Sequence, residues 1–99
     1  MKLFVDDLRD PPDDEWTVAR TYTAATAFLW AAGSELKEIS LDHDLGEEKT
    51  GYDFCRLMTD TKSWPPKVRF HSANPVGRKN MEAEYAFYLR RVLGEEKSP

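Results

Sequence analysis

Apolar and polar positions along this chain change period several times, and each change marks an element. Leu3, Phe4 and Val5 form an unbroken apolar run within Lys2 to Asp6, which predicts a short buried strand. Leu8 to Glu15 carries Pro11, Pro12 and several acids with no apolar period, so it is expected to be a loop. Trp16 to Arg20 reads as a second short strand. Thr21 or Thr23 can cap a helix running to Ala32, with Ala25, Phe28, Leu29 and Ala32 as its apolar stripe and Gly33 as its terminator. Glu38 to Asp42 is a third strand. Thr50 can cap a helix to about Asp60, with Phe54, Leu57 and Met58 inward. Trp64-Pro65-Pro66 breaks the chain. Lys67 to His71 alternates, Val68 and Phe70 against Lys67 and Arg69, as an edge strand or a thinly covered sheet does. Asn74 is a good N-cap and Pro75 a good first residue for a last helix reaching about Leu93. Its stripe is Met81, Tyr85, Tyr88, Leu89 and Val92, and Gly94 should end it.

Strands alternating with helices predict an α/β domain with a four-stranded parallel sheet, order 2-1-3-4, and three helices. Residues 1–94 form one domain in this reading and 95–99 a polar tail. Right-handed crossovers would set the first two helices on one face of the sheet. The other face, with Phe4, Ser40 and Arg69, would then need cover. The last helix, through Tyr85, Tyr88 and Leu89, could supply it, or a protein partner or second copy could meet that helix.

Ligands of parallel sheets bind beyond the carboxyl ends of the strands. Asp6 and Asp7 end the first strand, Asp42, His43 and Asp44 the third, and His71, Ser72 and Asn74 the fourth. All three clusters should therefore meet on one rim. Acids brought together repel unless a cation sits among them, and oxygen ligands of this kind suit magnesium, or manganese. The start of the last helix at Asn74, the Ser72 hydroxyl and the cations Arg9 and Arg78 suit a phosphate. His43 and His71 can move protons near neutral pH. Each cluster also has a plain reading. Asp6-Asp7 could be turn chemistry, His43 a buried ring holding its loop, His71 a solvent-facing side chain, and Ser72 to Pro75 only a helix start. Asp53, Glu47 and Glu48 read as solvated, and Trp64, Tyr85 and Tyr88 as packing residues.

Composition narrows the partners. The 99 residues are 40% hydrophobic and 32% charged with a net charge of −4, which argues against a large nucleic-acid footprint. The cations Lys67, Arg69, Arg78, Lys79, Arg90 and Arg91 fall in the second half, so a local phosphate-facing patch remains open. No apolar run can span a bilayer, and acids at position 6 interrupt any signal-peptide core, so no membrane and a cytoplasmic location are expected. The lone Cys55, among Phe54, Leu57 and Met58, excludes an internal disulfide and a multi-cysteine zinc site and reads as a buried thiol.

The pair in VDD, the aspartate of SLDHDLG, Gly51 and the pair Ser72-Ala73 resemble, in order, the receiver domains of two-component signalling. The resemblance implies a flavodoxin-like, receiver-like fold of three layers or partly two, lacking the first receiver helix and the fifth strand. By position it implies Asp6 and Asp7 as metal ligands, Asp42 as the phosphoacceptor, also at the metal, Asp44 as a metal contact through its backbone carbonyl, and Ser72 as the phosphoryl-contacting hydroxyl. The proline loop after the first strand, the absent fifth-strand lysine, and His43 and His71 depart from that pattern. DDLR, SLDHDLG, TGYD, WPP and HSANPVGRKNM together are similar to a divergent group, the cyclic-phosphate-processing receiver-like domains, over about residues 1–93. That resemblance implies magnesium- or manganese-dependent handling of cyclic or terminal phosphates on nucleotides or RNA ends, with Asp42, His43, His71 and Ser72 as catalytic candidates. Arg9, Ser72, Asn74 and Arg78 are the candidates for the phosphate, and Asp6, Asp7, Asp42 and Asp44 for the metal. The alternatives are a receiver phosphorylated on Asp42 that signals through a partner, and a non-catalytic binding module.

Overall fold

A computed structural model describes residues 1–94; the polar tail expected over 95–99 lies outside the described residues. The elements are β1 (Lys2–Val5), β2 (Trp16–Ala19), α1 (Tyr22–Ala32), a 3-10 turn (Gly33–Glu35), β3 (Glu38–Leu41), α2 (Gly51–Asp60), β4 (Lys67–Phe70), α3 (Pro75–Phe87) and a wider π-helical continuation (Tyr88–Leu93). The sheet is parallel throughout, in the order β2-β1-β3-β4. This is a receiver-like α/β fold with β4 at an edge, as its alternation requires.

The caps follow local chemistry. Thr21, rather than Thr23, caps α1, its hydroxyl accepting from the Ala24 N–H at 3.0 Å. Gly33 closes α1 with φ +54, a region that favours glycine. Asp53, read as solvated, instead completes a capping box with Thr50: its carboxylate accepts from the Thr50 N–H at 2.8 Å. Glu47 is not merely solvated either, since its carboxylate accepts from the Tyr22 N–H at the start of α1, 3.1 Å away. Gly94, expected to stop the last helix, still has right-handed helical angles (φ −61, ψ −43).

Register places Leu3, Ile39 and Val68 in one row and Val5, Leu41 and Phe70 in the next. These side chains meet Ala25, Leu29, Phe54, Met58 and Met81 from the helices in one core. Cys55 is fully buried there, and burial pushes its thiol up, out of the nucleophilic range. No helix among the described residues is long and apolar enough to cross a membrane.

The last helix does not cover the opposite face. Tyr85 packs on Trp64 and Phe70, with ring centroids at 4.8 and 6.2 Å, and Tyr88 lies 6.0 Å from Trp64. Phe70 points to the α1–α2 side, so the apolar stripe of α3 is drawn to that side too, and Leu89 is left exposed. All three helices thus form one layer and the sheet the other. The β2-to-β3 and β3-to-β4 crossovers step across the sheet in one direction, while β1 to β2 steps the other way. Right-handedness therefore carries the 6–15 connection over the second face. Pro12 of that connection lines a groove there with Phe4, Trp16 and Ser40. Side chains do the rest of the covering: Glu38 and Ser40 are buried on that face, with Arg69 Nε bound to Glu38 at 2.8 Å.

Candidate functional site

Parallel pairing runs past the strand ends and sets three residues side by side. The Asp6 N–H donates to Ala19 O (3.2 Å), Asp42 N–H to Val5 O (2.9 Å) and His71 N–H to Leu41 O (3.0 Å). Asp6, Asp7 and Asp42 thereby bring one carboxylate oxygen each within 4.8 Å of one another. Asp6 and Asp42 are buried and Asp7 is half-buried.

Asp6 is the most constrained. Its Oδ1 accepts from the N–H groups of Leu8 and Arg9, both at 2.8 Å, and its Oδ2 is 2.9 Å from His71 Nε2. Burial opposes its ionisation, but the Arg9 and Leu8 N–H groups and the His71 ring prevail and hold its carboxyl below the ordinary 3.8. A carboxyl depressed in the folded state stabilises the fold fully above its unfolded value and loses that contribution as pH falls through the folded one. Chemical unfolding should therefore show stability falling below about pH 4, with a shallower fall in Asp6→Asn. An unchanged slope in the variant would contradict the assignment.

His71 does not face solvent. Its ring stacks on Phe4 at 4.4 Å, and its Nδ1 lies 2.7 Å from Ser40 Oγ. Ser40, His71 and Asp6 thus form a chain of hydrogen bonds from the open sheet face to the acid rim. With Asp6 ionised, Nε2 carries the proton toward it, and in the neutral ring Nδ1 accepts from the Ser40 hydroxyl. Ser40 was not among the candidates from sequence. Its only signal was a buried hydroxyl in a strand otherwise flanked by Ile39 and Leu41.

His43 and Asp44 form a second unit. His43 Nδ1 is 2.9 Å from Asp44 Oδ1, and Asn74 Nδ2 donates to Asp44 Oδ2 at 3.3 Å. The carboxylate of Asp44 is thus turned to the start of α3 and is not part of the three-acid group. The hydrogen bond from His43, against a small burial cost and aided by Asn74, holds its carboxyl below the usual value. The His43 ring lies against Gly77: a Cβ there would come 2.3 Å from ring Cγ. Asn74 also caps α3, its Oδ1 accepting from the Gly77 N–H at 3.0 Å.

The remaining candidates are dispersed around this rim. Arg9 reaches it: one terminal nitrogen donates to His71 O at 3.0 Å and lies 3.9 Å from Asp6 Oδ2. Ser72 is buried, its hydroxyl accepting from the Asn74 N–H at 3.1 Å, which orders the turn into α3. Arg78 pairs with Glu82 (3.6 Å) and lines the open-face groove beside His71. Arg20, not singled out from sequence, ties the 6–15 loop together by donating to Asp6 O, Arg9 O and the Asp10 carboxylate. Two glycines permit the close packing. A Cβ on Gly46, at φ +67, would sit 2.8 Å from Asp7 Oδ2, and one on Gly51 would sit 2.0 Å from Asp42 O.

Among the described residues no cationic side chain pairs with Asp7 or Asp42, so the three-acid group carries uncompensated negative charge. All-oxygen donors, partly buried and mutually repelling, fit a hard divalent cation. A family model described as the cyclic-phosphate processing receiver domain matches residues 1–86. The chain belongs to that family. No curated protein and no solved structure matches it. Within this receiver-like, cyclic-phosphate-processing family, the acid pair, the Asp42 loop and the Ser72 turn all lie inside the matched stretch.

Proposed function

We propose that this domain is a divalent-cation-dependent phosphoesterase that opens cyclic phosphates, or removes terminal ones, on nucleotides or RNA ends. The observation that carries the reading is the three-carboxylate group within 4.8 Å, with His71 hydrogen-bonded to Asp6 and the His43–Asp44 pair following Asp42 in the chain. Asp6, Asp7 and Asp42 would hold magnesium or manganese, with the Asp44 backbone as a further candidate contact. When bound, the cation would supply Lewis-acid polarisation of the phosphoryl group and a more acidic water.

The chain's own groups supply the rest. His43, with Nδ1 toward Asp44, keeps Nε2 for proton exchange. Hydrolysis of a cyclic ester forms one bond from water oxygen to phosphorus and breaks one phosphorus–oxygen ester bond. The proton from water goes to His43 Nε2, and the departing oxygen takes it up as a hydroxyl. Arg9 and the α3 start at Asn74 would orient the phosphate. Asp42, buried at the end of β3, also keeps open the second reading, an acyl phosphate formed on its carboxylate; the lysine that grips such a phosphoryl group in receivers has no counterpart among the described strands.

Magnesium titration followed by NMR tests the cation site. Shifts should centre on Asp6, Asp7, Asp42 and Ser72, and Asp7→Asn should weaken them at least tenfold, as loss of a direct ligand would. Absence of metal-dependent shifts in wild type would defeat the proposal. Binding of magnesium without turnover of any phosphate ester would favour a non-catalytic binding module.

A further inference from the structure

The open sheet face carries a groove of about 580 Å³, within the size range of small-molecule sites. Phe4, Pro12 and Trp16 line it, and so do Val68 and Phe70 of β4 beside Arg69, with Arg78 and His71 completing the wall next to the acid rim. Phe4 is buried beneath the His71 ring and the edge of Trp16 (centroids 6.0 Å apart), so the platform is rigid. Arg69 is tethered to buried Glu38 and Arg78 to Glu82, in both cases with closest approach through Nε. A guanidinium held by that edge can present its flat face or its terminal nitrogens to a ligand.

We infer that this groove is a nucleoside subsite: it takes the base and ribose of a mononucleotide whose phosphate lies at the Asp6–Asp7–Asp42 rim. The inference rests on the proposed function for the position of the phosphate and deepens it by naming the ligand class. Three features of the groove select this occupant. Trp16 on β2 and Arg69 on β4 line it from opposite edges of the sheet, and an indole or a guanidinium each suits a neutral, polarisable aromatic ring. Arg69 and Arg78 meet their carboxylates through Nε, which leaves terminal nitrogens able to donate to the oxygens of a ribose or base. The groove is also continuous with the rim through one side chain, His71, which lines the groove and hydrogen-bonds Asp6 at 2.9 Å. A groove of this volume holds one nucleoside, and the acidic chain offers no long basic track, so the source is a free mononucleotide rather than an RNA end.

Binding constants measured by NMR titration of the full chain decide it, with adenosine, adenosine 2′,3′-cyclic phosphate, glycerol 1,2-cyclic phosphate and a short RNA ending in a 2′,3′-cyclic phosphate as probes. Wild type should bind the cyclic nucleotide at least about tenfold tighter than the base-less cyclic phosphate, which corresponds to one stacking contact. Adenosine alone should shift the Trp16 indole and Arg69 signals. Trp16→Leu and Arg69→Gln should each erase most of the tenfold preference while leaving glycerol cyclic phosphate and magnesium unaffected. Because Trp16 is half-buried and its loss can loosen the fold, Arg69→Gln, at an exposed side chain whose partner Glu38 keeps Lys2 at 3.8 Å, carries the test independently, with thermal unfolding of the variant checked alongside. Equal affinity for the two cyclic phosphates, or a preference that survives both substitutions, overturns the subsite. RNA binding more than tenfold tighter than the mononucleotide overturns the choice of ligand. Adenosine shifts at the groove without turnover of any cyclic phosphate would leave the subsite standing and remove the phosphoesterase.

Discussion

Asp42→Asn is expected to lower turnover of a 2′,3′-cyclic nucleotide about a thousandfold and, in the absence of metal, to stabilise the protein. Both effects come from one charge. Asp42 shares the rim with Asp6 and Asp7 at separations within 4.8 Å, and like charges that close cost about 1 kcal/mol per pair in bulk water and several times that near a protein surface. An asparagine removes that repulsion and keeps the Oδ1 that accepts from the His43 N–H at 2.9 Å. The same change strips one ligand from the cation, and several kcal/mol of lost polarisation corresponds to about three powers of ten in rate. Urea unfolding in chelator, set beside turnover in magnesium, reads the two signs. A variant destabilised without metal would mean that the acids are not a strained cluster awaiting a cation.

Gly51→Ala is expected to cost about 3 kcal/mol or more of stability. Its Cβ would lie 2.0 Å from the carbonyl oxygen of Asp42 and 3.0 Å from Met81 Sδ. Neither neighbour is the free end of an exposed chain: one is backbone at a strand end, the other a fully buried side chain of α3. The first turn of α2 must therefore move away from β3, and overpacking of this kind costs 1–3 kcal/mol or somewhat more. Gly51 N–H also donates to His43 O at 2.8 Å, a bond that the shift would stretch. The displacement falls on Asp42 and His43 together, so metal affinity should fall along with the melting temperature. Thermal unfolding with and without magnesium checks both; a fully stable variant would show that the close approach of α2 is not required.

The elements were legible because their signals are local. Thr21, Thr50 and Asn74 cap the three helices, and β4 alternates because it is an edge. The convergence of Asp6, Asp42 and His71 was also legible, since a parallel sheet must bring its strand ends to one rim. What escaped depends on side-chain direction. Glu47 looked like a solvated acid because nothing in its own segment shows that it finds the α1 start, whereas Asp53 did carry a local signal, three residues after the cap Thr50, the spacing of a capping box. Ser40 looked like an ordinary strand residue because its partner, His71, is 31 positions away. The last helix was expected over the open face because that face lacked a cover. Phe70 and Trp64 instead offered Tyr85 and Tyr88 a deeper aromatic contact on the other side.

The most direct measurement is phosphorus NMR of adenosine 2′,3′-cyclic phosphate with the wild-type protein, first in chelator and then in magnesium or manganese. Conversion of the cyclic signal to a monoester only when the cation is present, and lost in Asp42→Asn, is the predicted result. A cyclic signal that persists while magnesium demonstrably occupies the Asp6–Asp7–Asp42 rim would contradict it.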